Sequence, residues 1–172
     1  MIPELVTERL RLRAPVIEDF APYAAFCASP RAAHMGGPHD AETAWNWFAS
    51  DVAQWPLLGH GALMVERSED GTLLGQVGIA RPPHFPEPQI GWFAFKSTGE
   101  GGGYFAEAAA ALLSWAFGPR GMATLVSYIR ADNLRSARLA RRLGAVIDRA
   151  APLPPGLHSD VWRFTRDAGA PA

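Results

Sequence analysis

Cysteine is almost missing from this chain: Cys27 stands alone among 172 residues. No disulfide can form within it, which fits a reducing compartment. Cys27 has no basic or glycine-flanked neighbourhood, so a buried structural thiol is expected rather than a nucleophile. An excess of charge of one sign is missing too. Sixteen Lys and Arg stand against seventeen Asp and Glu, a formal net charge of −1. That balance advertises neither a nucleic-acid nor a membrane-surface partner. No apolar run approaches the ~20 residues of a membrane span. Met1-Ile2-Pro3-Glu4-Leu5 has neither the basic head nor the apolar stretch of a secretory signal. The histidines are scattered without metal-ligand spacing, so no metal is expected. Internal repeats and low-complexity tracts are absent as well. The expected location is the cytoplasm.

What is there is a globular composition, 48% hydrophobic and 19% charged, at a length that suits one domain with a sizeable core. The domain is expected over residues 5–166, with 167–172 as a frayed tail. The stretch from Leu5 to Arg13 ends in strict apolar alternation, Leu10 and Leu12 against Arg9, Arg11 and Arg13, and predicts a half-exposed strand. Ile17–Ala28 reads as a short helix. A second helix is predicted from Ala41 to Trp55, stopped by Pro56. Trp45, Phe48, Val52 and Trp55 share one side of it, a stripe that serves core or lid packing or lines a ligand. Three strands follow at Gly61–Arg67, Leu73–Ala80 and Gln89–Phe95, the first two joined by the turn Ser68-Glu69-Asp70-Gly71. A proline-rich connection, 81–88, lies between the second and third. After a long helix from Tyr104 to Phe117, the pattern gives a strand (Ala123–Ile129), a helix (Asn133–Leu143, with Gly144 at its C-terminus), a strand (Ala145–Arg149), a second proline-rich loop (Ala151–His158) and a closing strand (Asp160–Phe164). The result is one mixed α/β domain.

The chemistry concentrates in Lys96-Ser-Thr-Gly-Glu-Gly-Gly-Gly-Tyr104, a glycine cluster between a strand and a helix. A glycine-rich turn at a helix N-terminus gathers free N–H groups and the positive end of the helix dipole, which makes an anion site. The plainer reading is a loop that needs flexible backbone. Gly101-x-Gly103-x-x-Ala106 formally matches a dinucleotide fingerprint, but it lies far from a first strand and lacks the acidic partner about twenty positions on. No Gly-Lys-Ser/Thr closes a P-loop. The second element is Asn133-Leu134-Arg135-Ser136 at a strand-to-helix junction. Asn133 is a candidate N-cap. Ser136 shares the apolar helix face with Leu139, Ala140 and Leu143, so its hydroxyl either bonds a backbone carbonyl or faces a ligand.

Taken together these residues resemble the GCN5-related N-acetyltransferase (GNAT) superfamily, and within it the ribosomal-protein-alanine acetyltransferase-like (RimJ/RimL-like) branch. Thr7-Glu8-Arg9-Leu10-Arg11-Leu12-Arg13 matches that branch's start and Ile90-Gly91-Trp92 its fourth strand. Residues Glu100 to Ala108 match its pyrophosphate loop, Asn133 to Ser136 its Asn-x-x-Ser element, and Leu143-Gly144-Ala145 the helix end after it. There are departures. Glu100 takes the Gln/Arg place, Gly102 a frequently basic one, Phe105 the last small place, and Gln89 the place of a frequent glutamate.

The resemblance implies an α+β fold: a central, mostly antiparallel twisted sheet of six to seven strands, splayed between the fourth and fifth, with about four helices. It implies acetyl-CoA as cosubstrate in the gap and transfer of its acetyl group to a primary amine, a small molecule or a protein N-terminus. Backbone of Phe93, Ala94 and Phe95 would pair with the pantetheine arm. Gly101, Gly102, Gly103, Tyr104 and Phe105 would hold the pyrophosphate, and Asn133 the arm. Ser136 would hydrogen-bond or protonate the leaving thiolate. The amine's proton needs an acceptor, for which Glu87, His84 and Asp160 are candidates; Tyr128 is a possible relay. Glu87 and His84 also suit ordinary solvated loop positions, and Tyr128 core packing. A homodimer is left open. The competing reading is a non-catalytic acyl-CoA or nucleotide-binding domain of the same fold, and a protein-interaction module is a third class.

Overall fold

The computed structural model describes residues 1–166. The expected tail, 167–172, lies outside the described residues. Strands β1 (Leu5–Val6), β2 (Leu10–Arg13), β3 (Ala62–Arg67), β4 (Leu73–Ala80), β5 (Gln89–Ala94), β6 (Thr124–Ile129), β7 (Val146–Ile147) and β8 (Asp160–Thr165) form one sheet in the order β1-β2-β3-β4-β5-β6-β8-β7. Helices α1 (Phe20–Cys27) and α2 (Ala41–Leu58) cover one face. Helix α3 (Tyr104–Phe117) packs on the other, with α4 (Leu134–Arg142) beside it against β6.

The eighth strand arises where a single first strand was expected. The Thr7 hydroxyl accepts from the Leu10 N–H (3.0 Å), and the Thr7 N–H donates to the Leu10 carbonyl (2.9 Å). Side-chain capture of the backbone turns the chain there and splits the run into β1 and β2. The first helix is likewise shorter than predicted. Ile17–Asp19 is a 3₁₀ turn closed by the buried Asp19, which accepts from the Val16 N–H (2.8 Å) and pairs with both terminal nitrogens of Arg13. Helix α2 outlasts Pro56 and ends on Gly59, whose left-handed φ of 69° lets its N–H reach the Trp55 carbonyl at 3.0 Å. The proline lacks an N–H only within the last turn, so the helix loses one bond and continues. The predicted strand at 145–149 shrinks to two residues.

Alternation sorts the side chains. Leu63, Val65, Val77, Ile79 and Ile90 face α3 and are fully or nearly fully buried with Leu112, Leu125 and Phe164. Each such aliphatic side chain contributes about 1.5–3 kcal/mol of transfer free energy. Met64, Phe93 and Phe95 face α1 and α2, where Tyr23, Phe26 and Phe48 complete an aromatic layer. Of the α2 stripe, Phe48 and Trp55 are core, while Trp45 is 45% exposed and packs edge-on against Phe20.

Every strand pairing is antiparallel except β5–β6, which is parallel and holds at one point, Gln89↔Val126. The Val126 N–H donates to the Pro88 carbonyl there (3.1 Å). By contrast β4–β5 is paired from Gly75↔Ala94 to Ala80↔Gln89. The sheet therefore opens from Ile90 onward, as expected between the fourth and fifth predicted strands, and the opening positions the site.

Candidate active site

A cavity of about 850 Å³ occupies the opening between β5 and β6. The segment after β5 enters it through a 3₁₀ turn at Ser97–Gly99 and the glycine loop. Gly103 is the residue before α3, at φ 75°, and Gly101 has φ 81°; both are left-handed, where a side chain is strained. Ala106 and Glu107 N–H groups turn back to the Gly103 carbonyl (3.1 Å each). Among the described residues no protein acceptor meets the N–H groups of residues 101–105. Those donors sit at the N-terminus of a 14-residue helix, the arrangement that attracts a phosphate.

The loop is clamped from the first motif of the chain. Glu107 accepts from the Thr7 hydroxyl (2.6 Å), the Arg9 N–H (2.9 Å) and Arg9 Nε (2.7 Å). Arg9 also donates to the Gly102 carbonyl (2.9 Å) and lies over the Tyr104 ring. Burial raises the Glu107 carboxyl, but the bonds from Thr7 and Arg9 outweigh it and leave it below the usual carboxylate range. Phe105 does not narrow the cradle. Its ring turns into the core, beside Gly75 and Gly99. Glu100 does not point a bare charge at the loop either. It pairs with Arg31 and, at 2.7 Å, with Arg135, and although burial pushes its carboxyl up, the two arginines hold it low.

At the start of α4, Asn133 Oδ1 accepts from the Ser136 N–H (3.1 Å), the expected N-cap. Its amide NH₂ has no bond in that cap. Trp92 Nε1–H donates to Ser136 Oγ (3.3 Å). The Ser136 hydroxyl thus accepts from β5 and keeps its own proton to donate, instead of spending it on a backbone carbonyl. Tyr128, on β6, lines the same cavity, edge-on to Phe85; its buried hydroxyl lies near the Glu87 backbone and, among the described residues, makes no well-formed hydrogen bond. Burial, and secondarily the Glu87 charge, push its phenol up.

Of the residues singled out from the sequence, the cavity gathers Phe93, Ala94, Gly101, Gly103, Tyr104, Phe105, Tyr128, Asn133 and Ser136, and also His84. The carbonyl of Ala94 already accepts from Arg31 Nε (3.3 Å). Two expectations need correction, Phe95 and Glu87. Phe95 lies one residue past β5. Its N–H donates back to Leu74 on β4 (3.0 Å) and its ring packs on Tyr23 and Phe26, so it faces away from the opening. Gly102 has its carbonyl tied to Arg9, while its N–H belongs to the unpartnered row of residues 101–105. Glu87 is outside the cavity lining, held in a two-point ion pair by Arg163 (2.7 and 2.9 Å). That pair outweighs partial burial and keeps the Glu87 carboxyl below its usual range, which makes it a poor base.

The sequence reading missed Asp51 and Gln76. Trp47, Ser50, Asp51 and Gln54 line the cavity from α2 at i, i+3, i+4, i+7 spacing. That polar–aromatic stripe was legible beside the apolar one, but a lone Asp in a helix interior reads as solvated surface. Asp51 Oδ2 accepts from Gln76 Nε2 (2.7 Å), and burial pushes its carboxyl up from 3.8 to about 6, against the lowering effect of that bond. The proline-rich loops do flank the cavity, through Pro82, His84 and Phe85 on one side and Leu157 on the other.

A family model described as the acetyltransferase (GNAT) domain matches residues 9–146, and the chain belongs to that family. The crystal structure of an acetyltransferase from Agrobacterium tumefaciens str. C58 is 44% identical, covers 95% of each chain and superposes with a TM-score of 0.91. A ribosomal-protein-S5-alanine acetyltransferase from Vibrio fischeri is 16% identical, covering 96% of this chain and 97% of its own (TM-score 0.70). The microcin C7 self-immunity acetyltransferase MccE, solved with acetyl-CoA and AMP, is 13% identical over 92% and 93% of the two chains (TM-score 0.69). The last two share the fold alone. No curated protein matches the chain. The finding is the superfamily; the ribosomal-protein branch is not singled out, since the 44% relative carries only the general name.

Proposed function

We propose that this protein transfers the acetyl group of acetyl-CoA to a primary amine, with the cavity between β5 and β6 as the active site. The observation that carries this is the row of unpartnered N–H groups at residues 101–105, at the start of α3 and at the mouth of the opening. Those groups fit a pyrophosphate, and the β5 edge beyond Gln89 offers backbone to an extended arm. Acetyl-CoA supplies an activated acyl thioester, whose C–S bond breaks as the amine nitrogen forms the amide.

The chain's own residues then have separable tasks. Gly101, Gly102, Gly103, Tyr104 and Phe105 bind phosphate through backbone N–H groups, on a loop stiffened by Thr7, Arg9 and Glu107. Asn133, with its Oδ1 committed to the cap, offers its NH₂ to the arm. Ser136, oriented by Trp92, offers a hydroxyl proton to the departing sulfur, a stabilising bond more than a full proton transfer, because a serine hydroxyl is a weak acid. Tyr128 is the second donor in reach of the cavity. Aromatic walls and, among the described residues, only two acidic side chains, Asp51 and Glu100, favour an apolar amine over a polycation. A protein N-terminus is the other acceptor class, in line with the name of the Vibrio fischeri relative.

Calorimetric titration with acetyl-CoA, followed by thiol release over an amine panel, tests the proposal. Binding with turnover supports it. Binding without turnover on any amine favours the non-catalytic reading, and absence of binding rejects both.

A further inference from the structure

Most charged side chains around the cavity are spoken for. Glu100 holds Arg31 and Arg135, and Glu87 outside it holds Arg163. Asp51 differs. It projects from α2 onto the sheet face and, among the described residues, has no cationic partner and a single bond, from a neutral amide, Gln76 Nε2. Gln76 is 2% exposed, and its Oε1 is buried without a hydrogen-bond partner. Both side chains line the cavity. A carboxylate without a cation and an amide oxygen without a donor are each costly inside a protein. Together they gather acceptor oxygens at one place on the cavity wall, a carboxylate that lacks a cation beside a buried amide oxygen that lacks a donor. Phe93 of β5 is the cross-strand partner of Gln76 on the same face, and its ring reaches over Gly91. Tyr23, Phe26 and Trp47 line the same cavity.

We propose that Asp51 and Gln76 form the recognition site for the acceptor: a primary ammonium group carried on an apolar or aromatic body. This rests on the acetyltransferase reading of the cavity. An ammonium brings a positive charge and three N–H donors, enough for the carboxylate and for Gln76 Oε1 with one to spare. The surrounding rings suit both the cation and an apolar body. Asp51 also takes the first proton. An N–H bond of the ammonium breaks, an O–H bond forms on the carboxylate, and the nitrogen lone pair is released for attack on the thioester carbonyl. The second N–H proton, lost as the amide forms, ends on the departing sulfur, while the proton on Asp51 passes to water. The raised affinity of Asp51 for protons is in the direction this role needs. The groups that feel its charge are Tyr23 and Cys27 on α1, both pushed up chiefly by burial, and neither carries charge near neutral pH.

The test compares wild type with Asp51→Asn and Gln76→Leu by titrating 2-phenylethylamine, and separately an Ala-Phe dipeptide amide, into protein saturated with CoA. One or both amines should bind to wild type, and which one identifies the source of the acceptor. Binding should weaken at least tenfold in Asp51→Asn and at least threefold in Gln76→Leu, with acetyl-CoA affinity within twofold of wild type. The KM for the amine should rise in parallel. If wild type fails to bind acetyl-CoA, the transferase reading fails; the same titration of CoA-free protein still decides the ammonium site by the effect of Asp51→Asn. Equal amine affinity in wild type and Asp51→Asn, no binding of either amine to wild type, or tighter binding of spermidine than of 2-phenylethylamine would each overturn the proposal.

Discussion

A site built for a ligand should weaken the fold that carries it, and Asp51 makes this measurable. Its carboxyl is pushed from 3.8 to about 6 by burial, with no compensating cation. That interval corresponds to about 3 kcal/mol, at about 1.4 kcal/mol per tenfold change in proton affinity. The sign follows from the proton count. Between about pH 4 and pH 6 the folded protein holds a proton that the unfolded chain has released, so stability falls as pH rises through that window. Above it the folded state bears the whole cost of the buried charge; below it the cost is gone. Asp51→Asn removes the charge, keeps an oxygen to accept from Gln76 Nε2, and adds an NH₂ that can satisfy Gln76 Oε1. Some water reaches the residue through the cavity, so the expected gain at pH 7.5 is about 2–3 kcal/mol, or a Tm higher by about 4–12 °C. Differential scanning calorimetry of both proteins at pH 7.5 and pH 4 checks it. The gain should shrink to under about 0.5 kcal/mol at pH 4. Equal or lower stability of Asp51→Asn at pH 7.5 would refute the reasoning. A gain of the same size at both pH values would assign it to packing instead of charge. Such a variant, more stable and less able to bind amine, is the trade-off expected at a functional site.

Other substitutions separate the remaining roles. Gly103→Val forces a β-branched residue into a left-handed conformation and should weaken acetyl-CoA binding at least tenfold by calorimetry, about 1.4 kcal/mol or more, in a folded protein. Ser136→Ala should lower kcat by about ten- to a hundredfold with little change in CoA affinity, because its bond to sulfur exists mainly in the transition state. Equal kcat in steady-state assays would reduce Ser136 to a partner for Trp92. Glu87→Gln should leave kcat and its pH profile unchanged within twofold. It should lower the Tm, since it dismantles a two-point ion pair with Arg163 that is about four-fifths buried; a lost acidic limb of the pH profile would restore Glu87 as the base.

The elements were legible where periodicity and turn chemistry are local. The three central strands, α3 and the capped α4 follow from alternation, glycine position and an Asn-x-x-Ser start. The break at Thr7, the 3₁₀ turn before α1 and the run of α2 past Pro56 depend on single hydrogen bonds or on tertiary support, which no window of sequence contains. The cofactor loop was legible because backbone geometry needs glycine. The fate of Glu100 was not: its charge is offset by Arg31 and Arg135, distant in the chain and brought together by the fold. For the same reason Glu87 was a candidate base until Arg163 was seen beside it, and Asp51 gave no signal until Gln76 was placed against it. Residue type carries the backbone argument, whereas the protonation argument needs neighbours.

The most direct test of the central claim is mass spectrometry of 2-phenylethylamine and the Ala-Phe dipeptide amide after incubation with acetyl-CoA and the protein, with Gly103→Val run in parallel at sub-saturating acetyl-CoA. The account predicts an N-acetylated product, one CoA thiol released per product formed, and at least tenfold slower formation with Gly103→Val. Tight binding of acetyl-CoA by wild type with no acetylated amine, or product formed equally fast by Gly103→Val, would contradict it.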